Sequence, residues 1–189
     1  MGVMPNERFF GAGYFLTVGL LATFTMDLAA LILLMSGLIQ LGPYKILPNL
    51  LGRWVGSFPG GTVFHSTILN AAPIRHEKVL GILCHYLIGV ALTSLIVYPH
   101  IRIWCRAITF RNALVYGMVT CIFPWFLMFP AMGFGVMGLK LNNAGILMGF
   151  SFLNHAAFGM GIFMWSHLFN RRLLKIDRYW ALSSKNEGA

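Results

Sequence analysis

Three ionisable residues lie inside long apolar stretches of this chain: Asp27, His85 and His155. A carboxylate in hydrocarbon is unfavourable by several kcal/mol unless a partner compensates it, so such residues mark transport, proton or ligand sites. An imidazole changes its charge near neutral pH and can exchange a proton with a carboxylate. These residue types therefore predict proton binding and relay within a membrane.

The elements that must position these residues are membrane-spanning helices. Of the 189 residues, 58% are hydrophobic and only 10% are charged, and the mean hydropathy is +0.73. A spanning helix needs about 20 apolar residues, and the apolar runs cover about 9–39, 79–98, 113–139 and 144–169. The sequence therefore predicts an all-α integral membrane four-helix bundle that forms a single membrane domain over residues 1–189.

The segment between the first two runs predicts a short amphipathic helix over about 47–58. Its apolar residues follow the spacing of one helical face, with Arg53 on the other face and Pro59-Gly60-Gly61 at the end. We expect this helix to lie at the membrane interface or against the bundle, and a re-entrant hairpin is the alternative. A further helix start is predicted at Pro73, with Glu77 in its opening turn.

Two prolines, Pro124 and Pro130, interrupt the third run. Each removes a backbone hydrogen bond, and broken helices near the midplane can line a cavity, although a purely structural role is equally compatible with the sequence. The glycines that follow, among them Gly133, Gly135 and Gly138, are interpreted as sites of close helix packing.

The charge distribution predicts the topology. The net charge of +9 does not indicate nucleic acid binding, because the cations lie in loops and at helix ends. Nine Lys and Arg fall on the side of the termini and the loop 99–112, against five on the other side, so both termini are expected in the cytoplasm. The basic tail 170–189 is expected to contact anionic headgroups of the bilayer and then to become disordered.

The three ionisable residues share a similar predicted depth. At 1.5 Å per residue, Asp27 lies roughly 4 to 5 Å, His85 roughly 5 Å and His155 roughly 2 Å from the middle of their runs. All three displacements are towards the same face of the membrane. We therefore expect these side chains to converge, with Asn154 or Tyr86 completing a hydrogen-bond network.

Three interpretations of this cluster are open: a polar clasp that holds helices together, a proton-coupled site, and a metal or haem site. Two histidines and a carboxylate have the composition of a non-haem iron site, and His85 with His155 could ligate haem axially. No ligand spacing such as HxxxH supports this, so no cofactor is expected. The cysteines Cys84, Cys105 and Cys121 show no CxxC spacing and predict neither a disulfide nor a zinc site.

A second group of polar residues lies on the aqueous side, after the first run: Arg53, His65, Arg75 and Glu77, with His76 and Lys78. Beside a helix start these residues could bind an anionic headgroup or substrate. The alternative is interface anchoring and charge pairing.

Several segments taken together resemble a bacterial family of small inner-membrane proteins that is catalogued only as a domain of unknown function. The segments that carry the resemblance are Met26-Asp27-Leu28, Gly52-Arg53-Trp54-Val55-Gly56 with His65, Ala72-Pro73, Leu80-Gly81 with His85-Tyr86-Leu87-Ile88-Gly89, Pro124 to Met128 with Pro130 to Gly133, and His155 with Phe158 to Gly161. The resemblance implies four membrane helices, a bacterial inner-membrane location and no established activity.

The leading functional hypothesis is a small transporter-like or proton-handling protein. The main alternative is a non-catalytic membrane subunit or assembly partner, acting as a homodimer or in a larger membrane complex. A third is a membrane enzyme for a lipid or apolar substrate, but the sequence has no nucleophile motif or phosphate loop that would predict one.

Overall fold

The computed structural model describes residues 11–37, 47–104 and 106–186, and the side chains of these residues except Leu47, Arg102 and residues 171–186. Within these ranges the chain is helical and has no strand. Its α-helices are α1 (Ala12–Met35), α2 (Leu47–Gly56), α3 (Glu77–Tyr98), α4 (Phe110–Val119), α5 (Phe129–Ala131) and α6 (Ala144–Asn186). Short turns of π-helix follow α3 over Pro99–Ile103 and precede α5 over Pro124–Met128.

Four helical segments are long and apolar enough to cross a membrane, which confirms the predicted fold class. They are Ala12–Met35, Glu77–Ile101, Phe110–Ala131 and Ala144–Asn170. The third segment combines α4, a turn at Thr120 and Cys121, the π turn and α5, so the span continues past Pro124 although α4 itself ends at Val119. The predicted ends of the first run, at Phe9 and Ile39, lie outside the described residues.

The four spans pack in the order α3, α1, α6, α4, so that α1 and α6 form the centre of the bundle. Val18, Ala22 and Ile162 are completely buried in one apolar cluster, and Phe129 and Leu147 lie in a second cluster nearer α2. The outer spans α3 and α4 are connected where the Tyr116 hydroxyl of α4 donates to the Leu92 carbonyl at 2.6 Å.

Helix α2 packs against the start of α3, which is one of the two positions predicted for it. A Cβ added to Gly52 would collide with the Glu77 carbonyl, and one added to Gly81 would collide with the Pro48 carbonyl. The two glycines thus allow backbone-to-backbone contact. The predicted exposure of Arg53 on the opposite face is wrong: its side chain is only 7% exposed, because it turns back to the carboxylate of Glu77.

Helix α3 begins at Glu77, not at the predicted Pro73. The preceding His76 has a φ of 61°, a left-handed conformation that a helix interior excludes. The Glu77 carboxylate accepts a hydrogen bond from the Ile74 backbone N–H at 3.2 Å. The entry to α3 is therefore stabilised by the Glu77 carboxylate and not by a proline in the first turn.

The third span ends at Ala131, well before the predicted residue 139. Gly133 has a φ of +85° and lies against the Ser66 carbonyl, so it forms a turn and does not serve helix packing, contrary to the sequence interpretation. The loop before α3 covers this end, because the backbone N–H groups of His65 and Ile68 donate to the carbonyls of Ala131 and Met132.

Helix α6 extends well beyond its span. It is helical to Asn186, so the basic segment that follows residue 170 continues as helix, and the disorder expected in the tail does not begin before residue 187. Residues 187–189 lie outside the described part of the chain.

Candidate functional site

Asp27 of α1 and His85 of α3 form a hydrogen-bonded pair inside the predicted hydrocarbon region. Asp27 Oδ1 lies 3.0 Å from His85 Nε2. A carboxylate only accepts hydrogen bonds, so Nε2 carries the hydrogen and donates it. The remaining ring nitrogen, Nδ1, then holds a free lone pair when the imidazole is neutral, and it is the atom that would take up a proton.

Both members of the pair are partly exposed, with 43% of the Asp27 side chain and 32% of the His85 side chain accessible. Helix packing explains why they meet: Gly89 of α3 lies against Thr23 of α1 one turn from the pair, and the absence of a side chain there allows the two helices to approach closely. The pair is thus held by packed helices while its outer side stays open.

Tyr86 and His155 also lie near this pair. Tyr86, the neighbour of His85 on α3, interacts with the Asp27 carboxylate. His155 of α6 lies close enough to His85 for the two imidazoles to interact electrostatically. The structure therefore brings the three predicted ionisable groups into one region.

The contacts of Thr120 relate to the tautomer of His155. Thr120 Oγ1 lies 2.5 Å from the Gly117 carbonyl and 2.7 Å from His155 Nδ1. If the single hydroxyl hydrogen goes to the Gly117 carbonyl, His155 Nδ1 donates to Thr120 Oγ1. In that tautomer Nε2 of His155 has the free lone pair, so His155, like His85, has one nitrogen fixed and one able to accept a proton.

Asn154 does not complete the network. It is only 4% exposed, and its Oδ1 is one of three buried side-chain polar atoms of the described residues without a hydrogen-bond partner; the others are Thr93 Oγ1 and Trp125 Nε1. Asn154 neighbours His155 in sequence, but on a helix adjacent residues point in different directions. The partner of His155 is instead Thr120, which sequence reasoning missed.

The depths of the three groups agree when they are measured from the observed spans. Asp27, His85 and His155 lie about 5, 6 and 3 Å from the middle of their spans, all towards the side of α2. Thr120 lies within about 1 Å of the middle of its span. The hydroxyl of Thr120 at the centre of an apolar segment was the available sign of a polar contact. Threonine hydroxyls commonly bond to the backbone of their own helix, so the sign was not distinctive.

No group of three or more His, Cys, Asp and Glu side chains able to hold a metal ion occurs within the described residues. One nitrogen of each histidine is engaged: His85 Nε2 bonds a carboxylate and His155 Nδ1 bonds a hydroxyl. The free cysteines Cys84 and Cys121 lie on different spans, and Cys105 lies outside the described residues.

The second predicted group is divided by the fold. Arg53 Nε and Nη2 donate to the two Glu77 oxygens at 2.9 and 3.0 Å, and its Nη1 donates to the Ala71 carbonyl at 2.8 Å. Asn49 also donates to Glu77, at 3.1 Å. The hydrogen bond to Glu77 raises the pKa of the Arg53 guanidinium above its usual range. This buried ion pair fastens α2 to α3 and leaves Arg53 no free donor edge for an anion.

His65 and Arg75 lie apart from that pair. His65 Nε2 lies 3.1 Å from Ser57 Oγ, which also lies 2.6 Å from the carbonyls of Trp54 and Thr62. The Ser57 hydrogen goes to a carbonyl, so His65 donates to the hydroxyl and does not activate it as a nucleophile. Arg75 is exposed beside Lys78, so a headgroup contact at this end rests on these two residues and stays a prediction.

Comparison with known families supports the resemblance seen in the sequence. Residues 16–169 match the family described as "Protein of unknown function (DUF2938)". This range includes all four spans in whole or in part. No curated protein and no solved structure matches the chain.

Proposed function

The chain belongs to this family of unknown function, so we propose its activity from the geometry of the Asp27–His85 pair. It is a small transporter-like membrane protein that binds and releases protons at this pair. His155 is the neighbouring group that relays the proton. The observation that carries the proposal is the 3.0 Å contact of a carboxylate and an imidazole at hydrocarbon depth, with its outer side open.

The chemistry of the pair supports a reversible proton site. With His85 neutral, the pair carries the single negative charge of Asp27, which is unfavourable away from water. A proton added at His85 Nδ1 makes an imidazolium beside the carboxylate and brings the net charge to zero. The free Nε2 lone pair of His155 provides a second position for that proton on α6, at nearly the same depth.

We also propose the topology of a multi-pass protein of the bacterial inner membrane with both termini in the cytoplasm. The excess of Lys and Arg on the side of the termini supports it. In this orientation Asp27, His85 and His155 lie in the outer half of the bilayer. The basic extension of α6 then contacts the anionic headgroups of the cytoplasmic leaflet.

A second candidate function is that of a non-catalytic subunit, as a homodimer or in a larger membrane complex. The open side of the Asp27–His85 pair supports it, because polar groups that face lipid favour association between helices. In that case another polypeptide would cover the pair, and Asp27→Asn would be tolerated if the hydrogen bond to His85 persists.

Infrared spectroscopy across a pH series on protein in lipid nanodiscs tests the proton site. We expect a carboxylate band that responds to pH in the wild type, is lost in Asp27→Asn and is retained in Asp177→Asn. Asp177 is the matched control, because it is the other aspartate of the chain and lies on α6 beyond the span.

Folding is checked on the same samples by gel filtration and circular dichroism. A folded Asp27→Asn protein that retains the pH-dependent band would refute the proposal. A His85→Gln variant separates the two partners: its band should survive with an altered pH response if His85 takes up the proton.

A further inference from the structure

Exposed apolar side chains lie along the two helices that hold the Asp27–His85 pair. Phe24 and Leu31 lie one helical turn from Asp27 on α1, and Ile82 and Ile88 lie one turn from His85 on α3. At this depth such side chains face hydrocarbon in a membrane. The surface is therefore an apolar patch with one carboxylate at its centre.

Among the described side chains, no permanent cation pairs with this carboxylate. Within the described part of the chain the one ion-pair partner of Asp27 is His85, which is charged only when protonated. The Lys and Arg residues whose side chains are described lie on loops or near helix ends. When His85 is neutral, the patch carries a negative charge with its outer side accessible.

We propose that this patch binds a lipophilic organic cation in exchange for a proton. The inference rests on the proposed proton site and names the class of its substrate. The exchange is balanced in charge: the imidazolium of His85 releases its Nδ1 proton as the cation arrives, so the site holds either a proton or the cation beside the Asp27 carboxylate.

The surroundings suit such a ligand. The apolar side chains would contact the hydrophobic body. The ring of Phe24 is exposed one turn before Asp27, and a cation–π contact with it would add to the attraction of the carboxylate. The titratable groups towards Asp27 are His85 and Tyr86 on α3, and His155 on α6 through its interaction with His85. None is a permanent cation that would repel the ligand.

The test measures binding of tetraphenylphosphonium to the purified full-length protein in detergent, by calorimetry in weakly buffered solution. We expect saturable binding with proton release, which weakens as the pH is lowered because protons compete. Asp27→Asn should lower the affinity at least about tenfold, whereas Asp177→Asn should bind like the wild type. Phe24→Leu should lower it about two- to fivefold, in keeping with an exposed cation–π contact.

Tetraphenylborate, an anion of the same shape, distinguishes charge recognition from simple partition into apolar surface. Equal binding of the two ions, or unchanged tetraphenylphosphonium binding by folded Asp27→Asn, would overturn the inference. If the infrared band of Asp27 responds to pH but wild-type protein does not bind the cation, the inference fails and the proton site stands. If the infrared band does not respond to pH and the cation does not bind, both the proton site and the cation site are refuted.

A second copy of the chain is the other possible occupant of the patch. Two results together would assign the patch to a dimer interface and overturn the cation site. Leu28→Cys chains would form disulfide cross-links in membranes, and wild-type protein would fail to bind tetraphenylphosphonium.

Discussion

Asp27 on α1 and His85 on α3 lie 3.0 Å apart at almost the same depth, although 58 positions separate them in the sequence. The contact depends on the antiparallel packing of the two spans, in which Gly89 contacts Thr23 one turn away. The same packing leaves the outer side of the carboxylate open. A fixed but accessible acid–base pair is the feature on which the proposed function depends.

Removing either member of this pair should cost stability only through their mutual interaction. In a double-mutant cycle with Asp27→Ala and His85→Ala, we expect a coupling of about 0.6 kcal/mol and at most about 1.7 kcal/mol, as for other polar contacts between membrane helices. Thermal unfolding in detergent measures it. A coupling of zero would mean that the contact is not maintained in the folded protein.

The buried Arg53–Glu77 pair should be far more sensitive. Glu77→Gln leaves a buried guanidinium without its counter-charge, and we expect a destabilisation of about 3–5 kcal/mol. The matched control is Arg75→Ala, which removes an exposed cation beside the same helix start and should change stability by at most about 0.5 kcal/mol. Equal effects in thermal unfolding would contradict the assigned role.

The raised pKa of Arg53 predicts a pH dependence of known sign. A cation whose pKa is higher in the folded than in the unfolded protein contributes stability that is complete below its unfolded pKa and is lost as pH rises through its folded pKa. The usual pKa of arginine already lies above about 12. Arg53 should therefore contribute no change in the midpoint of unfolding from mildly acidic to mildly alkaline solution. The hydrogen bond from Arg53 lowers the pKa of Glu77 to about 2, so the stability difference between wild type and Glu77→Gln should be constant above about pH 5 and shrink as the pH falls towards about 2. A difference that varies with pH above about 5 would refute this.

The two glycines between α2 and α3 should tolerate no side chain. Gly81→Ala places a methyl group on the Pro48 carbonyl, and because a backbone atom cannot rotate away, we expect a loss of about 1–3 kcal/mol or the detachment of α2. Gly149→Ala on α6 is the control, since nothing lies within 4 Å of the added methyl group. That variant should gain up to about 1 kcal/mol from its higher helix propensity.

Limited proteolysis between α1 and α3 reads out detachment of α2 independently of the unfolding midpoint. Rapid cleavage in Gly81→Ala but not in Gly149→Ala is the expected pattern. Indistinguishable cleavage and stability of the two variants would show that α2 does not depend on this contact.

The hydrogen bonds around Thr120 predict the tautomer of His155. Nitrogen-15 NMR of histidine-labelled protein should show His155 with its hydrogen on Nδ1. Thr120→Val keeps the shape but removes the acceptor, so this signature should shift and stability should fall by about 1 kcal/mol. Thr17→Val is the control, because the Thr17 hydroxyl bonds only to the Gly13 carbonyl of its own helix; an unchanged His155 spectrum in Thr120→Val would contradict the assignment.

The sequence by itself determined the four spans, the short helix before α3 and the depth at which Asp27, His85 and His155 occur. These properties follow from local hydropathy and from the constant rise of a helix, which need no knowledge of neighbouring elements. The helix of residues 171–186 was not predicted, although Leu173, Ile176 and Trp180 follow the i, i+3, i+7 spacing of one helical face.

Only the tertiary structure decided which polar side chains meet. Asp27 is paired with His85, and His155 is bonded to Thr120 rather than to Asn154. Arg53 is buried in a pair with Glu77 instead of lying on an exposed face. The physical reason is that partner choice depends on the rotation and separation of helices. Those are set by close approaches such as Gly52 to the Glu77 carbonyl and Gly89 to Thr23, and no periodicity within one helix encodes them.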